Sequence, residues 1–148
     1  MMSNPVGPEG LQGCFRCAFV WRPRHSEPRL CPRCKSRSWD VPRLEKVRRG
    51  GGLDISEIIG PKRNQVTKVL RNRGVLSARV FGSVARGQAR RHSDLDLLVT
   101  FEPRVSGFDQ LDLSDELARL LGRKVEVSTA EGIHWLIRPQ VEFEAVPL

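Results

Sequence analysis

Arg79-Val80-Phe81-Gly82-Ser83-Val84-Ala85-Arg86-Gly87, followed by Ser93-Asp94-Leu95-Asp96-Leu97-Leu98-Val99, is the stretch that decides how this chain is read. Arg79-Val80-Phe81 is a short β-prone run that Gly82 ends. Glycine permits a backbone other residues rarely adopt and lets a ligand come close. Ser83 to Arg86 can open a helix, so its free N–H groups would face whatever lies above the turn, a phosphate-binding arrangement. Arg86, Arg90 and Arg91 add positive charge beside it. In the second run, side chains alternate between faces: Asp94 and Asp96 share one, while Leu95, Leu97 and Val99 point into a core. Paired carboxylates repel, and Mg²⁺ held between carboxylates and triphosphate oxygens removes that cost. A surface turn followed by a strand with solvated acids would explain neither the spacing nor the flanking arginines.

The joint motif resembles the nucleotidyltransferase superfamily of DNA polymerase β-like fold. More narrowly, Gly82 to Gly87 with Ser93 to Leu97 is similar to the minimal nucleotidyltransferases, the antitoxin partners of HEPN toxins, over roughly residues 54–148. The resemblance implies an α+β fold, a small mixed sheet flanked by helices. It implies transfer of a nucleoside monophosphate, AMP from ATP, to a protein hydroxyl with release of pyrophosphate, and a HEPN toxin as partner. Asp94 and Asp96 are then expected to hold Mg²⁺, and Gly82, Ser83, Arg86 and Ser93 to bind the nucleotide. The superfamily often has a third carboxylate, usually Asp, on the next strand. Here that position is Glu126, expected as a third ligand or as general base toward the acceptor, with an inert surface acid as the alternative. Two other functions compete: an antitoxin that acts by binding alone, and a nucleic-acid-binding regulator.

The second informative unit is residues 14–49. Cys14-Phe15-Arg16-Cys17 and Cys31-Pro32-Arg33-Cys34 are two Cys-any-any-Cys knuckles with thirteen residues between them. Four thiolates so placed complete a tetrahedral Zn²⁺ shell, and the segment looks like a zinc ribbon. It is too small to fold on an apolar core, so the metal would supply folding energy. A redox dithiol is the competing reading. Lys35 stands where such knuckles usually have Gly. Arginines interleaved with Trp21 and Trp39 would allow nucleic-acid contact, the tryptophans otherwise serving as ribbon core.

Net charge is +8, and it is unevenly placed: residues 62–91 carry nine Lys/Arg and no acid, whereas residues 92–148 carry five basic and eleven acidic residues. Basic surface of this kind attracts nucleotides, nucleic acid or an acidic protein face. No apolar run approaches the length of a membrane span, the N-terminus lacks the features of a secretory signal, and a cytoplasmic location is expected.

The expected layout is a flexible tail over 1–13, the ribbon over 14–49, a glycine hinge over 50–53 and the nucleotidyltransferase domain over 54–148. Asp54 or Ser56 is expected to cap a short helix, Pro61 to open another that Gly74 ends. A helix over about 108–121 would bury Phe108, Leu111, Leu117, Leu120 and Leu121. Lys124 to Ser128 reads as a strand with Glu126 outward. Residues 129–138 read as a short helix in which Ile133, Leu136 and Ile137 pack. The ending Glu144-Ala145-Val146 resembles that of the family.

Overall fold

The computed structural model of the chain describes residues 6–25, 27–41 and 50–148. In chain order these form β1 (Gln12–Gly13), β2 (Val20–Trp21), α1 (Ile55–Ile58), α2 (Arg63–Asn72), β3 (Val75–Phe81), α3 (Gly82–Ala85), β4 (Leu95–Phe101), α4 (Gly107–Leu121), β5 (Val125–Ser128), α5 (Arg138–Glu144) and β6 (Val146–Pro147). Two compact units emerge, one comprising Met1–Glu45 with Ile133–Phe143, the other Lys46–Gly132 with Glu144–Leu148. The basic run Arg43 to Arg49 lies outside the described residues.

In the first unit β1 and β2 pair antiparallel, Gln12 with Trp21 and Gly13 with Val20. Cys14, Cys31 and Trp39 are buried together, with Cys17, Phe19 and Trp21 packed on them. Trp21 meets Trp39 edge-on at 5.0 Å and stacks on Phe19 at 6.1 Å. Trp39 donates its indole N–H to the Pro28 carbonyl at 3.0 Å. The tryptophans are ribbon core, and the buried Trp39 offers no face for base stacking.

The expected flexible tail is corrected over residues 6–13, which hold a Val6–Gln12 bridge, a 3-10 turn and β1. A Cβ on Gly7 or Gly13 would lie 2.5 Å from the Trp135 ring, so glycine is what lets the chain lie flat on that indole. Residues 129–137 form turns and bends instead of the helix expected over 129–138, and the helix begins at Arg138. Pro139, with its fixed φ and missing N–H, suits a first turn. Ile133, Leu136 and Val141 are buried, whereas Ile137 is exposed.

The second unit is a four-stranded sheet in the order β5-β4-β3-β6. β4 runs antiparallel to β3 and parallel to β5, and β6 is antiparallel to β3. The sheet is mixed and helix-flanked, the α+β arrangement expected. Leu95, Leu97 and Val99 of β4 are buried, and Leu98 on the opposite face is buried too, so that face is covered in mid-strand and open at Asp96 and at Thr100. Val66 and Leu70 of α2 join the same core, with Leu113 and Leu117 of α4. Helix starts follow local chemistry: Asp54 and Glu57 form a reciprocal capping box on α1, as do Ser106 and Asp109 on α4. Gly122 ends α4 in the left-handed region at φ +66°.

Two expectations fail in this unit. Phe108 and Leu111 are 82% and 65% exposed, not core. At 100° per residue Phe108 sits about 180° around the helix from Leu117, and the core face runs instead through Leu113. The glycine hinge is tied down: Gly50 N–H donates to the Arg86 carbonyl and Gly52 N–H to the Gly87 carbonyl, both at 2.9 Å, and Leu53 pairs with Ala89. Among the described residues no helix is long and apolar enough to cross a membrane.

Candidate active site and metal centre

The register of β3 on β4 sets Phe81 opposite Asp96, so the chain leaves β3 at Gly82 directly beside that carboxylate. Gly82 adopts φ +70°, and a Cβ there would lie 2.3 Å from Asp96 Oδ2. Glycine is required twice over, by the left-handed backbone and by the approach of the carboxylate. The next residues form α3, a single turn, with Ser83 half-buried and Val84 and Ala85 in the core.

Asp94 and Asp96 stand at the mouth of β4, and parallel pairing sets Glu126 of β5 beside Asp96. Burial, then the neighbouring Glu126 and Asp94, push the Asp96 carboxyl up to about 6, against the opposing pull of Lys124 and Arg86. That surplus of negative charge is what a divalent cation would relieve. Asp94 already holds a cation of another kind: Lys124 Nζ lies 2.8 Å from its Oδ2, and this contact raises the ammonium above its usual value. Glu126 is exposed. Among the described residues only the four cysteines bring three or more ligand atoms within 4.8 Å of one another. The carboxylates share a face without converging to that degree, so triphosphate oxygens would have to complete a Mg²⁺ shell around Asp94 and Asp96.

Ser93 serves the turn before β4. Its hydroxyl accepts the Arg90 N–H at 2.8 Å, and its carbonyl accepts Arg123 Nη1 at 3.0 Å. Arg86 and Gly82 share a partner that sequence reasoning missed. The Gly82 N–H donates to Glu144 Oε1 at 3.0 Å, and Arg86 Nη1 donates to Oε1 and Oε2 at 3.2 and 3.1 Å. Its one sequence signal was the family-like Glu-Ala-Val ending.

The cysteines form a second centre. Sγ atoms of Cys14 and Cys34 lie 3.7 Å apart, and those of Cys17 and Cys31 3.8 Å apart. A tetrahedral ion with bonds of about 2.3 Å separates its sulfurs by about 3.8 Å, so the set fits Zn²⁺. The knuckles repeat one geometry: Ala18 N–H donates to the Cys14 carbonyl and Lys35 N–H to the Cys31 carbonyl, at 2.8 and 2.9 Å. Ala18 and Lys35 both adopt left-handed φ, +57° and +59°.

The Nucleotidyltransferase domain family matches residues 62–148. The chain is similar to "Putative protein adenylyltransferase MJ0435" of Methanocaldococcus jannaschii, 36% identical over 94 residues, which is 64% of this chain and 97% of that protein. It is 44% identical over 61 residues to "Protein adenylyltransferase MntA" of Thermococcus cleftensis, 40% of this chain and 62% of that one. A solved structure described as a "putative minimal nucleotidyltransferase" superimposes with a TM-score of 0.57 at 41% identity, covering 67% of this chain and 100% of that one. A toxin–antitoxin structure with AMP-PNP shares the fold at a TM-score of 0.52 and 23% identity, over 58% of this chain and 71% of that one. Every residue of the carboxylate site falls inside the matched stretch. The chain belongs to the nucleotidyltransferase family, as a minimal nucleotidyltransferase joined to a four-cysteine ribbon.

Proposed function

We propose that this protein moves AMP from ATP to a hydroxyl of a partner protein, and that it acts as the antitoxin of a HEPN-type toxin. The observation that carries the reading is the packing of Asp96 against Gly82, which sets the carboxylates that would hold the metal beside the glycine-serine turn that would face the phosphates. The relatives named as protein adenylyltransferases support the adenylyl group and the protein acceptor.

Asp94 and Asp96 would hold Mg²⁺, which when bound neutralises charge on the triphosphate. The Ser83 turn orients the phosphates, and Arg86 places a positive charge beside it. Glu126 takes the proton from the acceptor hydroxyl. The acceptor oxygen then bonds to the α-phosphorus, the bond from that phosphorus to the β-bridging oxygen breaks, and pyrophosphate leaves with the electron pair. The four cysteines hold Zn²⁺ as a closed structural site.

The test is incubation of the full chain with α-labelled ATP, Mg²⁺ and the protein encoded beside it, repeated with Asp94→Ala and Asp96→Ala. Label on the partner that vanishes in both variants is the expected result. Tight association without label would make this an antitoxin acting by binding alone. Salt-sensitive retardation of RNA or DNA with no partner association would instead favour a nucleic-acid regulator.

A further inference from the structure

Glu144 reaches the turn from far along the chain, and the sheet delivers it. β6 pairs with β3 so that Val80 faces Val146 and Arg79 faces Pro147. Continued by two residues, that antiparallel register sets position 144 opposite position 82, where the Gly82 N–H meets the Glu144 carboxylate. The same carboxylate takes Arg86 Nη1 on both oxygens. The side chains are 28% exposed for Arg86 and 11% for Glu144, so the pair is shielded in a way surface ion pairs are not.

Another carboxylate stands at the same turn: the Gly82 carbonyl accepts the Arg86 N–H at 3.2 Å, and Gly82 packs directly against Asp96. An unrestrained guanidinium would close on Asp96 and cover an oxygen the metal needs. It would also carry rotamer freedom that nucleotide binding must remove. We propose that Glu144 is a positioning residue for the nucleotide site: its carboxylate fixes the Gly82 amide and the Arg86 guanidinium, so that Arg86 stands beside the glycine-serine turn and off Asp96.

The inference rests on the nucleotidyltransferase reading, and its test separates the two. Calorimetric titration of the full chain with ATP and Mg²⁺, without acceptor, gives a dissociation constant for wild type, Glu144→Gln, Glu144→Asp, Arg86→Met and the Glu144→Gln/Arg86→Met double variant. Unfolding midpoints are taken alongside. Glu144→Gln keeps the acceptor for the Gly82 N–H and loses the charge that holds Arg86. It is expected to bind about tenfold more weakly, the scale set by loosening one arginine side chain that is left with its Nε bond to Gln88 Oε1 at 3.3 Å. Glu144→Asp should recover part of the loss, and the double variant should bind no worse than Arg86→Met. Should Glu144→Gln fail to fold, a Glu144→Asp chain with wild-type midpoint and wild-type affinity would count against the idea. Wild-type affinity in a folded Glu144→Gln chain, tighter binding, or losses that multiply in the double variant would each overturn it. A wild-type chain that binds no ATP would refute the nucleotidyltransferase reading itself, and this inference with it.

Discussion

Replacing Asp96 by Asn should stabilise the domain while abolishing its chemistry. The rise from the ordinary value of 3.8 to about 6 means that, at neutral pH, folding holds a carboxylate charged in a place that resists it. At ~1.4 kcal/mol per tenfold change in proton affinity that cost is ~3 kcal/mol, and solvent screening of a half-buried group brings it to ~1 kcal/mol. Asparagine keeps the shape without the charge. In Mg²⁺-free buffer that leaves zinc in place, the variant should melt about 4–8 °C higher at pH 7.5. The sign with pH follows from proton binding. Between the unfolded and folded values the native chain holds a proton that the unfolded chain releases, so wild-type stability falls as pH rises through this window. The advantage of the variant should therefore be full above pH ~6, shrink as pH falls, and disappear below pH ~4. Comparing both chains at each pH cancels changes they share. Mg²⁺ with ATP should then stabilise wild type and leave the variant unmoved. Equal midpoints at pH 7.5, or an offset that does not vary with pH, would refute the electrostatic reasoning.

Gly82→Ala should cost ~1–2 kcal/mol of stability from its left-handed backbone. The new methyl, 2.3 Å from Asp96 Oδ2, should cut label transfer at least about a hundredfold by displacing that carboxylate; a folded variant with near-normal transfer would contradict the site. Lys35→Gly should raise ribbon stability by ~1 kcal/mol, read from Trp fluorescence during denaturation, because φ +59° strains any residue with a Cβ. Chelation should release about one Zn²⁺ per chain and shift the fluorescence of Trp21 and Trp39, which pack over the cysteines. Release of no zinc would remove the ribbon metal.

What the sequence disclosed was mostly local. The alternation of Asp94 and Asp96 with Leu95 and Leu97, the cysteine spacing, the cap of α1, narrowed to Asp54 or Ser56 and found at Asp54, and the end of α2 before Gly74 are each written within a few residues, and nearest-neighbour geometry suffices to decode them. Long-range partners were not legible. Glu144 meets Gly82 from 62 residues away, through a β6–β3 register that no local pattern announces. Lys124 was read only as a strand residue, yet a parallel neighbour strand carries it to Asp94. Helix phase was ambiguous for α4, because Phe108 and Leu111 supply apolar residues off the face that packs. Around Trp135, packing on Gly7 and Gly13 overrode the helical reading of the segment.

Ile133–Phe143 belongs to the same compact unit as the cysteine knuckles, which bears on how the chain can be cut. A clone beginning at the glycines would keep Ile133, Leu136 and Val141 but discard the glycines that lie against Trp135. One ending there would keep Gly7 and Gly13 with no indole to cover. Neither fragment is a self-sufficient half. Dissecting this protein therefore calls for point substitutions or for supplying the missing piece in trans.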